Sequence, residues 1–427
     1  MASFAPPKGM RDFYPEDHRA RKALFEAWCM AGRQWGFETY DAPVVETLEL
    51  LERKAGEEIA EQIYTFEDKG GNRLALRPEL TPSLARMIIA RQGGFGFPLK
   101  WSAIAQCFRY ERMQRGRKRE HFQWNLDIVG EPSILAEAEV IGAAVGALRQ
   151  LGLTEQDFQV RVGSRAMLAE LMKQAGVREE RLMACYMALD KRDKIGEEAV
   201  AEMLGEAGLE GSSRHRVLEV TRAADFHEAA RQVGPDHPSA LQVRELFDLV
   251  EPLGLQPYLT FDLGVIRGLG YYTGIVFEAF DTERKLRAIF GGGRYDNLLS
   301  DLGGQTMPSV GLGFGDVVVM ELLADRGKSP AGERTIAYAV GFMDEAASRR
   351  MALEITRGLR EAGRACDLGM HAEKARKFFN RANRIGARHA VYIGPEEAER
   401  RRFEIKPMGG GQPVRLEVER LPEGLPE

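Results

Sequence analysis

Residues 102–111 (SAIAQCFRYE) and 121–129 (HFQWNLDIV) alternate in character and enclose a short basic loop. A period of two is the mark of a half-buried strand. On the second segment Phe122, Trp124, Leu126 and Ile128 share one face, and Gln123, Asn125 and Asp127 share the other. On the first, Arg109 and Glu111 fall on one face. One side of the pair is therefore built for a core, and the opposite side carries amide and carboxylate groups. Gln123 and Asp127 stand about 13 Å apart at the usual strand rise, a span that suits a small polar ligand across a sheet. The loop of 112–120 holds Arg112, Gln114, Arg115 and Arg117 and suits phosphate. The same pattern also fits an exposed amphipathic hairpin with a charged tip.

With 427 residues the chain exceeds one ordinary core, so two or three domains are expected. The balance of 44% hydrophobic and 29% charged residues is that of a soluble globular protein. No apolar run reaches bilayer length, and the first residues lack the apolar stretch of a signal peptide. Cys29, Cys107, Cys185 and Cys366 are scattered, which argues against zinc or a disulfide framework and for a cytoplasmic setting. A net charge of -5 does not advertise a nucleic-acid binder, but phosphate is bound by local patches. Two exist, at 109–119 and 374–402.

The expected fold is multidomain, mixing α/β and α+β. The first part, 1–325, mixes helices and strands with few strand–helix alternations, so an antiparallel sheet flanked by helices is preferred to a doubly wound one. A polar helical stretch at 178–242 interrupts it as an insertion. Gly36 is placed to end a helix over 15–35, and Thr81–Pro82 reads as an N-cap and first-turn pair. After a linker, strands and helices alternate over 333–427 as a compact α/β domain.

Three further constellations carry chemistry. In 267–274 (RGLGYYTG), Arg267 could reach phosphate from a tight glycine-flanked turn, with Tyr271 and Tyr272 opening a strand. Gly291–Gly293 and Gly311, Gly313 and Gly315 would let backbone approach a nucleotide, although neither run is a P-loop or a dinucleotide fingerprint. Glu79 beside the Thr81 hydroxyl would suit an ammonium group.

Read in order, KGMRDFYPED, RPELTPSLAR, FRYERMQRGRKREHFQWNLDIVG, RGLGYYTGIVFEAF and GGGRYDNLL resemble the histidyl-tRNA synthetases, over about residues 5–406. The resemblance implies a class II synthetase sheet, a C-terminal α/β anticodon-binding domain, and a homodimer with Pro43 at its interface. It implies ATP with Mg2+, L-histidine and tRNA as ligands, and no membrane association. Arg109 would hold the α-phosphate and the histidine carboxylate, with Glu111 and Arg117 placing adenine and the triphosphate beside Gly313 and Gly315. Glu79, Leu80 and Thr81 would bind the amino group; Gln123, Asp127, Tyr271 and Tyr272 would line the side-chain pocket. Arg267 would stabilise charge developing on the α-phosphate. Arg112, Gln114 and Arg115 would meet the acceptor end of the tRNA, and Lys377, Phe378 and Arg381 its anticodon.

The sequence departs from the family pattern in three places. Aligned on Gly311 and Gly315, Val318 stands where the family has an adenine-clamping arginine; Arg294 is the candidate to compensate. Gly270 replaces a usual aspartate, and Asp127 a usual glutamate. Two other functions share this fold: the synthetase-like regulatory subunit of ATP phosphoribosyltransferase, which usually lacks the C-terminal domain, and an RNA-binding pseudo-synthetase, which would lose its ATP-facing arginines.

Overall fold

The computed structural model describes residues 4–53, 62–221, 225–267, 272–332, 336–423 and 425–426, with the side chains at 193–194 excepted. It divides into two compact units, Met1–Ala331 and Gly332–Glu427.

In the first unit α1 (Pro15–Gln34) leads to β1 (Glu38–Thr39). A small antiparallel sheet of β2 (Val45–Thr47), β3 (Tyr64–Glu67) and β4 (Arg73–Leu76) follows, with α2 (Leu48–Glu52) beside it and α3 (Thr81–Arg91) after it. Next come β5 (Leu99–Phe108), β6 (Glu120–Val129), α4 (Leu135–Gln150), β7 (Phe158–Ser164) and α5 (Arg165–Gln174). Six helices then run in succession: α6 (Leu182–Asp190), α7 (Arg192–Ile195), α8 (Glu197–Glu206), α9 (Gly211–Val220), α10 (Phe226–Val233) and α11 (Pro238–Val250). The unit closes with β8 (Leu259–Phe261), β9 (Ile275–Asp281), β10 (Phe290–Arg294), α12 (Leu298–Asp301), β11 (Ser309–Gly315) and α13 (Asp316–Asp325).

The main sheet has eight strands in the order β1-β5-β6-β11-β10-β9-β7-β8. Only the edge pairs β1–β5 and β7–β8 are parallel; the six central strands are antiparallel throughout. The alternation in β6 decides which side is which. Trp124, Leu126 and Ile128 enter the main core with Leu24 and Trp28 of α1 and Val140, Ile141 and Ala144 of α4. Trp28 and Trp124 stack at 6.0 Å, and the Trp124 indole N–H donates to Ser102 Oγ at 3.0 Å, so the one buried polar atom of that ring is satisfied. Helix α4 is Ala- and Gly-rich because it lies close: a Cβ on Gly142 would sit 2.2 Å from the Trp35 ring.

The helical stretch is as expected, and its apolar residues, among them Cys185, Leu189, Val200, Leu204 and Val217, join the core under the sheet without a break. Thr81 departs from expectation. It is the first residue of α3 rather than its cap; Leu80 occupies the cap position, and no side chain caps the helix.

The second unit holds β12 (Tyr338–Phe342), α14 (Ala346–Glu361), β13 (Cys366–Leu368), α15 (Ala375–Arg384), β14 (His389–Ile393), α16 (Pro395–Arg400), β15 (Arg402–Pro407) and β16 (Val414–Glu417). Its sheet runs β13-β12-β14-β15-β16, with parallel pairs around β12 and an antiparallel hairpin at the end. Phe378 is wholly buried there at 0% exposure, and its ring lies where a Cβ on Gly341 would be. It is a core residue, which corrects its expected role at the anticodon. Lys377, its neighbour on α15, is exposed, while Arg381 is held by Asp367 and by Glu373 at 3.1 Å.

Candidate active site

The polar face of β6 is where the expected site residues gather. Asp127 is 2% exposed, and one of its oxygens accepts the Tyr295 hydroxyl. Burial raises its pKa to about 7; the Tyr295 bond works against this, and the nearby Glu79 charge adds to it. Its other oxygen, Oδ2, has no hydrogen-bond partner among the described residues, and neither do Gln123 Oε1, Asn125 Oδ1 and the Tyr40 hydroxyl. Buried polar atoms are almost always paired in folded proteins. Several orphans within one short stretch and its neighbour leave a cluster of buried acceptors and a hydroxyl that a polar ligand could pair. Tyr40 feels Asp127 directly: burial first, then that carboxylate, raises its pKa well above the ordinary value.

The glycine runs explain themselves in this geometry. In register, Gly311 lies opposite Asp127 and Gly313 opposite Asn125. A Cβ on Gly311 would fall 2.1 Å from Asp127 Oδ1, one on Gly313 would fall 1.6 Å from Gln123 Nε2, and one on Gly291 would fall 1.6 Å from an Arg267 guanidinium nitrogen. The polar side chains of neighbouring elements lie flat across β10 and β11, and only glycine leaves room for them. Close approach to a nucleotide was the expectation; close approach of the site's own side chains is what the geometry records.

Arg267 adopts a left-handed backbone at φ 51°, a conformation that costs a non-glycine residue free energy and clusters at functional sites. Its guanidinium is 3.6 Å from Glu278 and 5.5 Å from the Tyr272 ring centre. Tyr272 is buried and precedes the strand, which begins at Ile275. Tyr271 and Gly270 lie outside the described residues.

Arg109 and Glu111 do not share a strand face. β5 ends at Phe108, and a tight turn follows in which Glu111 N–H donates to Arg109 C=O at 2.8 Å. Arg109 instead reaches back to donate to Pro78 C=O at 2.9 Å, which brings it beside Glu79, Leu80 and Thr81, all buried. Arg117 pairs with Glu111 at 2.6 Å. A cavity of about 500 Å³ opens beside this turn, lined by Lys8, Tyr110, Glu111, Arg112, Met113 and Arg119. Arg112 and Gln114 are exposed. Arg115 is engaged within the chain, 3.0 Å from Glu321 and 2.6 Å from Asp325, and Gly116 N–H donates to Glu321 at 2.9 Å.

At the departure from the family pattern, Val318 sits on the first turn of α13 at 7% exposure. Asp316 is buried two residues earlier, ion-paired with Arg11 at 2.9 Å and accepting Phe122 N–H at 2.9 Å. Arg294 does not compensate. At 5% exposure it forms a two-pronged ion pair with Glu137, 2.7 Å on each arm, on the core side of the sheet. Sequence reasoning passed over Tyr40, Tyr295 and Arg11. Tyr295 stood inside a quoted motif, yet nothing local marked its hydroxyl as reaching Asp127 across 168 positions.

An antiparallel sheet with a buried polar face, flanked by arginines and followed by a separate α/β unit, is the architecture of the class II aminoacyl-tRNA synthetases. A family model described as "Histidyl-tRNA synthetase" matches residues 9–315, and one described as "Anticodon binding domain" matches 335–427. The chain is 42% identical over 97% of its length to a chloroplastic/mitochondrial histidine–tRNA ligase of Arabidopsis thaliana, covering 85% of that protein. It is 40% identical to a histidine–tRNA ligase of Opitutus terrae, covering 93% of this chain and 92% of that one. In fold it resembles the crystal structure of histidyl-tRNA synthetase from Nostoc sp. PCC 7120, with a TM-score of 0.80, 23% identity and 98% of both chains covered. The chain belongs to the histidyl-tRNA synthetase family. The C-terminal match supplies the domain that the regulatory-subunit alternative usually lacks. No helix among the described residues is long and apolar enough to cross a membrane.

Proposed function

We propose that the chain attaches L-histidine to its tRNA through a histidyl-adenylate, with the polar face of β6 as the amino-acid site. The observation that carries this reading is the set of buried, unpartnered polar atoms around Asp127. A neutral imidazole offers one donor and one acceptor. Asp127 Oδ2 accepts the hydrogen bond of the imidazole N–H, and amino acids without such a donor are rejected because they leave that oxygen unpaired in a buried site. Glu79 and Thr81 hold the ammonium group. Arg109, anchored on Pro78, aligns the carboxylate with the α-phosphorus of ATP. The carboxylate attacks, the bond to the bridging oxygen breaks, and pyrophosphate leaves. Arg267 neutralises charge growing on the α-phosphate, and a terminal ribose hydroxyl of the tRNA then attacks the activated carbonyl; the carbonyl–phosphate C–O bond breaks, AMP leaves, and the hydroxyl proton is lost as the ester forms. Alignment and charge stabilisation are the main demands such a transfer makes.

Magnesium enters with the nucleotide, as part of the substrate. No cluster of three His, Cys, Asp or Glu side chains among the described residues is arranged to hold a metal by itself. A homodimer accords with the exposed Val44 and Val45 beside Pro43, and a cytoplasmic setting with four free cysteines. In the second unit, exposed Lys377 on the basic α15 is a group that would meet anticodon phosphates.

Histidine-dependent ATP–pyrophosphate exchange, with tRNA charging beside it, tests the proposal. Wild type should show both, and Arg267→Ala should lose both by two orders of magnitude or roughly so, as when one transition-state donor is removed. Exchange that ignores histidine, or an Arg267→Ala variant with full activity, would contradict it.

A further inference from the structure

The basic loop is approached at one point by two side chains from distant parts of the chain. A Cβ built on Gly116 would lie 3.3 Å from Val318 Cγ2 of α13 and 3.7 Å from Arg287 Cδ of the β9–β10 connection. Position 318 therefore offers only a methyl group to the loop, and a guanidinium-bearing chain stands next to it. Other arginines of this region are committed to carboxylates: Arg11 to Asp316, Arg115 to Glu321 and Asp325, Arg117 to Glu111. The acid nearest Arg287 in sequence, Glu283, is taken by Lys285 and by Arg326. Arg287 is half-buried and makes no ion pair among the described residues. A guanidinium held against a basic loop without a carboxylate of its own is complementary to an anion that arrives from outside.

We propose that Arg287 is a nucleotide-binding residue, which supplies from the β9–β10 connection the guanidinium that α13 does not carry at Val318. This rests on the reading of the site given above. The planar guanidinium has a face for a purine ring and a fork for phosphate oxygens. Its position against Gly116 puts it where the loop would close over bound ATP.

The experiment is histidine-dependent pyrophosphate exchange with Arg287→Ala and Arg287→Lys, and calorimetric titration of the same proteins with ATP. Arg287→Ala should raise the KM for ATP about tenfold or more, the size of a lost charged partner, with the KM for histidine unchanged. Arg287→Lys should fall between, since it keeps the charge and loses the fork. An ATP constant within about twofold of wild type, or an equal rise in both constants, would overturn the assignment. If the wild-type chain showed no exchange while ATP binding still weakened in Arg287→Ala, the nucleotide role of Arg287 would stand and the histidine reading of the site would fall.

Discussion

Asp127 shows how one residue can be destabilising and useful together. Its folded pKa of about 7 lies above the ordinary carboxylate value near 4, so the folded chain binds this proton more tightly than the unfolded chain. The sign follows: its contribution favours the fold most at low pH, falls as pH rises from about 4 to 7, and is constant above that. Asp127→Asn removes the titration. The melting temperature of the variant relative to wild type should climb between about pH 4 and 7 and then level off, while its affinity for histidine drops. A relative melting temperature that is flat over that range would contradict the assignment. The carboxylate at this position was legible from the period-two pattern of β6. Its companions Tyr40 and Tyr295 were not, because nothing in a local pattern reports a bond across the fold.

At the scale of the element, β10 and β11 carry glycine for two different reasons, and substitution should separate them. On Gly313 a new methyl group would meet the far end of the Gln123 side chain, which can swing aside. Gly313→Ala should therefore leave stability nearly intact and raise the KM for histidine. On Gly292 the methyl would meet the Gly311 carbonyl at 2.2 Å and Leu312 Cβ at 2.7 Å, neither of which can yield without moving the sheet. Gly292→Ala should cost about 1–3 kcal/mol in denaturant unfolding, the usual price of overpacking. Equal loss of stability in both variants would show that the Gln123 contact has no special role. The helices follow the same division between pattern and place. Spacing foretold α1 and its end at Gly36, but Thr81–Pro82 read as a cap is in fact the first turn of α3, since the cap depends on backbone angles that composition does not encode.

The whole molecule divides into two units with separate cores, one under the eight-stranded sheet and one around β12, β14 and α14. If the second unit serves only the tRNA, removing 332–427 should raise the KM for tRNA far more than that for histidine in aminoacylation, with exchange retained. An equal rise in both would sink that division of labour. At this scale the arginine-rich patches also change meaning. Two of the six cations of 109–119, Arg115 and Arg117, are paired inside the chain with Glu111, Glu321 and Asp325, so a net charge of -5 and a basic run together say little about what is free to meet phosphate.

The antiparallel hairpin, the apolar and polar faces of β6, the helical stretch after α5 and the alternating C-terminal unit were all determined by the sequence alone. Each follows from periodicity within ten or twenty residues, and the ordered motifs were enough to identify the family. Tertiary structure alone decided that Arg294 belongs to Glu137 and not to a nucleotide, that Phe378 is core, that Arg109 and Glu111 turn away from the β5 ladder, and that Arg287 stands beside Val318. The physical reason is range. A strand's faces are set by its neighbours in the chain, whereas a charge finds its partner, and a pocket its lining, only where distant segments are packed together.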